Sequence, residues 1–72
     1  MTKKIKELIK SECRKIEENG ETTIIVSAAE HYGWDPEIYA DRYIIREEMR
    51  SRGYKVITQV ASQMVSYIVK NK

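Results

Sequence analysis

Apolar residues recur at helical spacing near the start of the chain. On one face of a helix over residues 3–18 lie five of them: Ile5, Leu8, Ile9, Cys13 and Ile16. Thr2 is placed to cap the free N–H groups at the start of this helix. Asn19-Gly20 ends it, because glycine adopts the left-handed conformation at low cost. The pattern therefore predicts an amphipathic first helix with one face in the core.

A short β-branched segment, TTIIVSA at residues 22–28, follows this helix and predicts a strand. Ile24 and Val26 share one face of the strand, and Ile25 lies on the other. Because both faces carry apolar groups, we expect both to be at least partly covered.

A second, longer helix is predicted to start at Pro36 and to end at Gly53. Asp35 can accept hydrogen bonds from the free N–H groups, and proline suits the first helical position because its missing donor is not needed there. Trp34 and Tyr39 occupy the two positions of a hydrophobic staple, which sets the angle at which the chain enters the helix. The core stripe of this helix consists of Ile38, Ile45 and Met49.

Residues 54–70 have two interpretations. Their many Val, Ile, Thr and Tyr residues favour two strands, residues 54–60 and 64–70, joined by a turn at residues 61–63. Apolar pairs also recur every four positions, which is the spacing of an amphipathic helix. The turn has no Gly, Asn or Asp, which weakens the hairpin, whereas β-branched residues weaken the helix. We favour the hairpin, and the alternative is a mostly helical protein with a C-terminal amphipathic helix.

The predicted fold is a single α+β domain over residues 1–72, with the order helix–strand–helix–strand–strand. We expect a three-stranded mixed sheet with two helices on one face, because a helical crossover makes the first two strands parallel. The other face would expose apolar groups and form a candidate interface. These groups are Ile25 and Ile57, with either Met64 and Ile68 or Val65, Tyr67 and Val69.

The length of 72 residues predicts a small core, for which self-association is a common source of stability. Cys13 is the only cysteine, so no intramolecular disulfide can form. One cysteine and one histidine cannot supply the four ligands of a structural zinc site. We therefore expect a homo-oligomer without a cofactor or metal. No apolar run approaches the ~20 residues of a membrane span, and no signal peptide is visible, so we expect a cytoplasmic protein.

Charge is spread unevenly, although the net charge is only +2. Both ends of the chain are basic, and the middle is acidic. Lys3, Lys6, Lys10 and Arg14 form a basic stripe on the first helix that could follow phosphates, although a solvated helix face has the same composition. A nucleic-acid or nucleotide-binding module is therefore the alternative function.

Catalytic chemistry has few candidates in this chain. The only possible Cys–His pair is Cys13 with His31, and Cys13 lies on the apolar face, whereas reactive thiols need an exposed, electropositive site. Phosphate-binding glycine loops and clusters of metal ligands are absent from the sequence. We therefore predict a protein that is not an enzyme.

Tyrosine and arginine form a second stripe on the second helix. Tyr39, Tyr43, Arg46 and Arg50 are spaced at i, i+4, i+7 and i+11, about 100° around the helix from the core stripe. These residue types are enriched at interface hot spots, but arginine also stacks on tyrosine within a single helix. His31 and Tyr32 are not explained by the helix start. These six residues are the candidates for binding a protein partner.

The layout resembles that of many small bacteriophage-encoded proteins. The resemblance is carried by a helix ending in NG, a strand TTIIV, a helix ending in RSRGYKV and a closing strand SYIV, and it covers most of the chain. It assigns no role to any residue. It implies a small interaction protein that binds a host protein in the host cytoplasm and occludes or inhibits it.

Overall fold

The computed structural model describes residues 1–72 and has the predicted α+β class and element order. Helix α1 spans Lys3–Asn19, and strand β1 spans Glu21–Ala28. A single 3-10 turn, Glu30–Tyr32, precedes helices α2 (Pro36–Ala40) and α3 (Arg42–Ser51). Strands β2 (Lys55–Ala61) and β3 (Met64–Lys70) complete the chain. None of the helices combines the length and the apolar character needed to span a bilayer.

The sheet is antiparallel throughout, so the prediction of a mixed sheet was wrong. Its strand order is β1-β3-β2, and β3 pairs antiparallel with both neighbours. Strands β1 and β2 do run in the same direction, as the helical crossover requires, but β3 lies between them. Because β3 is the central strand, its side chains have a neighbouring strand on each side, and Tyr67 and Val69 are buried.

The C-terminal segment is the hairpin, and the helical alternative was wrong. Ala61 pairs with Met64, so the turn consists of Ser62 and Gln63. Only glycines have positive φ in this protein, so the turn does not need the Asn-Gly signal of the most common hairpin turns. The Gln63 carbonyl also accepts a hydrogen bond from the Ala29 N–H at 3.3 Å, which holds the turn against the end of β1.

Helices α1 and α3 pack on one face of the sheet and bury the core between them. The buried apolar residues are Ile5, Ile9, Cys13 and Ile16 from α1, Ile24 and Val26 from β1, Ile45 and Met49 from α3, and Tyr67 and Val69 from β3. The pairing of β1 with β3 shifts between Ile25 and Ser27, so Val26 is the extra residue of a β-bulge. The core is therefore assembled from four elements, with α1 supplying the most side chains.

A buried carboxylate ties α1 to β1. Glu12 is buried and accepts a hydrogen bond from the Thr22 hydroxyl at 2.7 Å. Lys15 contributes an ion pair to the same carboxylate at 3.4 Å. Because a buried charge is costly without partners, these two contacts make the position of Glu12 possible.

The second face of the sheet is uncovered, so β1 is covered on one face only. Ile25 is 42% exposed and Ile57 is 38% exposed. The strand register puts Met64 and Ile68 on this face, whereas Tyr67 and Val69 point into the core. Ser66 lies between Ile25 and Gln59 in the register and is buried by its larger neighbours. This open face is the apolar surface that the sequence predicts.

The second helix is interrupted at Asp41, whereas the sequence predicts one continuous helix. Asp41 has φ −101° and ψ 16°, which separates α2 from α3. The Arg42 guanidinium donates to the Tyr39 carbonyl at 2.6 Å and so satisfies a carbonyl at the end of α2. The break turns Arg42 toward the end of α2.

The start of α2 follows the predicted capping chemistry. The Asp35 carboxylate accepts hydrogen bonds from the N–H groups of Glu37 and Ile38 at 3.0 and 3.3 Å. Lys4 of α1 forms an ion pair with the same carboxylate. The hydrogen bond from Lys4 lowers the pKa of Asp35, and the same bond raises the pKa of Lys4. Asp35 therefore caps α2 and also ties it to the first helix.

Candidate functional site

Aromatic rings and guanidinium groups form a continuous row along α2 and α3. We term Trp34, Tyr39, Arg42, Tyr43 and Arg46 the Tyr–Arg stack. Trp34 meets Tyr39 edge-on, with 6.4 Å between ring centroids. The Arg42 guanidinium lies 4.1 Å from the centroid of the Tyr39 ring and 4.6 Å from that of Tyr43. Arg46 lies 5.1 Å from the centroid of the Tyr43 ring. Arg42 therefore sits in contact with two tyrosine rings.

Local sequence places each member of the stack. The Trp34–Tyr39 contact is the predicted staple across the start of α2. The break at Asp41 and the hydrogen bond from Arg42 to the Tyr39 carbonyl then bring the guanidinium over the Tyr39 ring. Tyr43 and Arg46 are three residues apart on α3, and this spacing puts them side by side.

The region of the stack is unusually apolar for a surface. Nine large apolar or aromatic residues are exposed in the protein, and five of them lie between residues 32 and 44. These five are Tyr32, Trp34, Tyr39, Tyr43 and Ile44. Tyr43 is the most exposed of the five, at 55%. Exposed apolar patches of this kind mark surfaces that bind other molecules.

Positive charge dominates the stack. Arg42 makes no ion pair, whereas Arg46 and Arg50 both donate to the Glu47 carboxylate at 3.3 Å. The stack also borders the core at Tyr67. Burial raises the pKa of the Tyr67 phenol, whereas the nearby positive charges of Arg46 and Arg42 lower it. One side of the row is thus supported by the core, and the other is open to solvent.

A shallow depression of about 490 Å³ lies next to the stack on α3. It is lined by Tyr43, Ile44, Glu47, Glu48 and Ser51. Tyr43 and Ile44 are the apolar part of this lining, and Glu47, Glu48 and Ser51 are the polar part. The depression offers a place for a side chain of a partner beside the exposed ring of Tyr43.

The structure brings together three of the six residues predicted to bind a partner, namely Tyr39, Tyr43 and Arg46. Arg50 lies next to them but pairs with Glu47 and does not join the stack. His31 and Tyr32 contact each other, with 4.2 Å between ring centroids, and no ring contact joins them to the stack.

Arg42 and Trp34 are the members of the stack that the predicted stripe leaves out. Arg42 is three residues after Tyr39 and directly precedes Tyr43. The i, i+3 spacing was a signal for the first contact. The second contact depends on the break at Asp41, which the helical pattern does not show.

A second concave surface lies between α1 and α3. This basic groove has a volume of about 640 Å³. Its lining consists of Met1, of Lys6, Ile9, Lys10, Cys13, Arg14 and Glu17 on α1, of Glu48 on α3, and of Arg52, which follows α3. Three of the four residues of the predicted basic stripe, Lys6, Lys10 and Arg14, line it, and Lys3 does not. Arg52 also lines the groove, although it is not part of the predicted basic stripe.

Cys13 and His31 lie in different environments. The Cys13 thiol is buried and contacts the Met49 sulfur at 3.9 Å. His31 is exposed and lies against Tyr32. Nowhere do three His, Cys, Asp or Glu side chains come together in an arrangement suited to a metal ion.

Comparison with known proteins adds no functional assignment to this geometry. No protein-family model, no curated protein sequence and no solved structure matches the chain.

Proposed function

We propose that this protein binds another protein through the Tyr–Arg stack and acts by covering a functional surface of that partner. The observation that carries the proposal is the position of Arg42 between the rings of Tyr39 and Tyr43, both of which are exposed. Tyrosine and arginine are the residue types that most often supply binding energy at interfaces. The proposal includes the bacteriophage-type role that the sequence layout implies, in which the partner is a host protein in the cytoplasm.

The cation–π contacts of the stack contribute little to the stability of the folded protein. A cation–π contact at an exposed site contributes about 0.5–1 kcal/mol, and the value rises to about 2 kcal/mol when water is excluded. A partner that covers the stack would therefore strengthen contacts that are weak in the free protein. Because Arg42 is already held by the Tyr39 carbonyl, binding would not have to immobilise this long side chain, which lowers the entropic cost of association.

The chemistry of the partner follows from the charge of the stack. Arg42 makes no ion pair in the free protein, and guanidinium groups favour carboxylates, which they bind through two parallel hydrogen bonds. Beside it, Tyr43 and Ile44 line a depression that suits an apolar side chain. The surface best complementary to the stack is a protein surface with an Asp or Glu next to an exposed apolar residue.

Affinity capture tests this proposal. The protein and a Tyr43→Ala, Arg42→Ala variant would be immobilised and exposed to nuclease-treated lysate of the organism in which the protein acts, and the retained proteins would be quantified by mass spectrometry. We expect at least one protein to be retained by the wild type and depleted about tenfold or more on the variant, as for the loss of a hot spot. That protein would then be purified and its binding measured directly.

Two single variants provide the controls. Tyr32→Ala removes a tyrosine of similar exposure outside the stack, 50% against 55% for Tyr43. Val60→Ala alters an exposed residue on the hairpin. We expect Val60→Ala to retain the partner, and Tyr32→Ala shows whether the interface extends to residues 31 and 32. If the same proteins are retained by the wild type and the double variant, the stack is not a binding site.

We also propose that the open face of the sheet mediates self-association. Apolar residues of all three strands share this face: Ile25, Ile57, Met64 and Ile68. The register places Glu21, Lys70 and Lys55 in one row at the end of the face. If two copies pack face to face about a two-fold axis along β3, each Glu21 lies opposite Lys55 of the second copy. The same axis brings Lys70 opposite Lys70 of the second copy. The two Glu21–Lys55 pairs outnumber this one lysine pair and favour a second copy as the occupant.

Sedimentation across a range of concentrations tests this second proposal. We expect the wild type to shift from monomer to dimer as concentration rises and Ile57→Lys to remain monomeric, because the new charge would be buried. The control is Val60→Lys, on the same strand but on the face toward the helices, which should dimerise as the wild type does. A wild type that is monomeric at every concentration would exclude dimerisation through this face.

A further inference from the structure

We propose that the basic groove between α1 and α3 binds a phosphate-bearing small ligand of the nucleoside polyphosphate class. This site lies on a different surface from the Tyr–Arg stack, and it does not depend on protein binding through the stack. Three cations without ion-pair partners are regularly spaced along this groove, above an apolar floor.

The cations form a ladder along the groove. Lys6, Lys10 and Arg14 are four residues apart on α1, and all three line the groove. Four residues correspond to a rise of about 6 Å along a helix, so the three groups span about 12 Å on one side of the cavity. A linear chain of phosphates can contact several members of such a ladder at once.

These three cations are free to receive an anion. Lys6, Lys10 and Arg14 make no ion pair, whereas Lys4, Lys15 and Arg52 are each paired with a carboxylate. In total the groove is lined by four cations and two carboxylates, Glu17 and Glu48, and Glu48 is already bound to Arg52 at 3.5 Å. The charge of the groove is therefore positive, and its excess lies on the α1 side.

The floor of the groove is apolar and solidly packed. Ile9 and Cys13 form it, and the Cys13 thiol rests on the Met49 sulfur beneath. Tyr54 stands close to Cys13, and burial raises the pKa of its phenol, with Cys13 and Glu17 adding to the shift. An apolar floor beneath a row of cations is complementary to a ligand that joins a flat, weakly polar body to a charged chain.

Size and lining favour a small ligand over a nucleic-acid strand. The volume of about 640 Å³ lies within the range of small-molecule sites, which is roughly 300–1,000 Å³. Proteins that bind single strands stack the bases on aromatic side chains, and the groove lining contains no aromatic residue. A nucleoside polyphosphate is thus the ligand class that best fits the groove.

Calorimetric titration of the full chain with adenosine triphosphate at about 0.15 M salt tests the proposal. We expect binding that weakens about tenfold or more in a Lys10→Glu, Arg14→Glu variant, because two phosphate contacts become repulsive. The matched control is Lys3→Glu, Lys72→Glu, which changes the net charge equally outside the groove. At about 0.15 M salt, where remote charges are screened, this control should alter the affinity by about twofold or less. Circular dichroism would establish that both variants are folded, as expected for exposed positions.

Two further titrations identify the source of the phosphates. Inorganic tripolyphosphate binding as tightly as the nucleotide would assign the recognition to the phosphate chain alone. A short oligothymidylate that binds more tightly, with a steep dependence on salt and the same sensitivity to the groove variant, would assign the phosphates to a strand. No binding by any of the three ligands, or equal loss of affinity in both double variants, would overturn the proposal. Amide chemical shifts give an independent test, since changes outside residues 1–17 and 48–54 would also overturn it.

Discussion

Two regions of this protein are built by different forces. In the core, α1, α3 and the sheet bury isoleucine, valine, methionine and tyrosine side chains almost completely. In the corner, residues 29–44, no residue is buried, and the chain is held by a cap, an ion pair, a staple and cation–π contacts. The core follows from the hydrophobic effect, whereas the corner follows from polar and aromatic contacts near the surface.

The difference shows where function is to be sought. Every large side chain of the core has a packing role, so its identity needs no other explanation. The corner needs Asp35 and Pro36 to start α2, but it does not need Tyr43 or Ile44 to be exposed. Exposed side chains without a structural role are the ones whose presence a binding function explains.

The largest expected effect is the contrast between two adjacent isoleucines, one in the core and one in the corner. Ile45 is fully buried, so Ile45→Ala should lower the free energy of unfolding by about 2–5 kcal/mol. Ile44 is 45% exposed, and Ile44→Ala should change it by about 0.5 kcal/mol or less. Urea denaturation followed by circular dichroism measures both. Similar losses for the two variants would show that the corner and the core are not energetically distinct.

The next effect concerns the buried carboxylate. Thr22→Val removes the hydroxyl that donates to Glu12, and we expect a loss of about 1–3 kcal/mol because Glu12 stays buried with one partner fewer. Thr23→Val makes the same chemical change on the open face and should be close to neutral. The same denaturation assay applies, and equal effects at both positions would mean that the Glu12–Thr22 bond contributes little.

Asp35 tests how the corner is held. Asp35→Asn keeps a side chain that can cap α2 but removes the ion pair with Lys4, whereas Asp35→Ala removes both. We therefore expect the melting temperature to fall from the wild type to the Asn variant and again to the Ala variant. Both variants should lower it less than Thr22→Val does. An Asn variant that is as unstable as the Ala variant would mean that the ion pair, and not the cap, holds the corner.

The pH dependence of stability separates the same two contributions. The hydrogen bond from Lys4 holds the pKa of Asp35 below its ordinary value of 3.8 in the folded protein. The contribution of this group is thus fully present above that value and is lost as the pH falls through the lower, folded-state pKa. The difference in stability between the wild type and Asp35→Asn should therefore be constant at higher pH and should shrink only in this acidic range. Identical profiles would show that the ion pair does not persist in solution.

The smallest expected effect is at the stack itself. Tyr43→Ala removes two exposed cation–π contacts, and we expect a loss of about 1 kcal/mol or less. Tyr67→Ala removes a buried tyrosine from the core and should destabilise the protein several times as much as Tyr43→Ala does. Thermal melts of both variants measure the contrast. If Tyr43→Ala were as destabilising as Tyr67→Ala, the stack would be a structural element, and the case for partner binding would fail.

The helix and strand pattern was readable from the sequence wherever local chemistry is strong. The period of the apolar residues in α1, the Thr2 and Asp35 caps and the Trp34–Tyr39 staple all depend on residues at most five positions apart. The hairpin was the favoured interpretation, and its β-branched residues are the reason. Its turn was less predictable, because a tight turn with negative φ carries no glycine or asparagine signal.

The candidate site was only partly predictable. Tyr39, Tyr43 and Arg46 share a face by helical geometry alone, and so do Lys6, Lys10 and Arg14. Arg42 joins the stack because the chain breaks at Asp41 and because its guanidinium reaches the Tyr39 carbonyl. Arg52 joins the groove because α3 ends beside α1. These two arginines are placed by contacts that no periodic pattern encodes.

The sequence by itself predicted the order of helices and strands, without the break at Asp41, and the apolar face of each helix, since these depend on local propensity and periodicity. The tertiary structure decided that β3 lies in the centre of the sheet, so that every pair is antiparallel. It also decided that Met64 and Ile68 of β3 lie on the open face, whereas Tyr67 and Val69 point into the core. The physical reason is that strand order depends on the total area buried by all elements together, and no single segment carries that information.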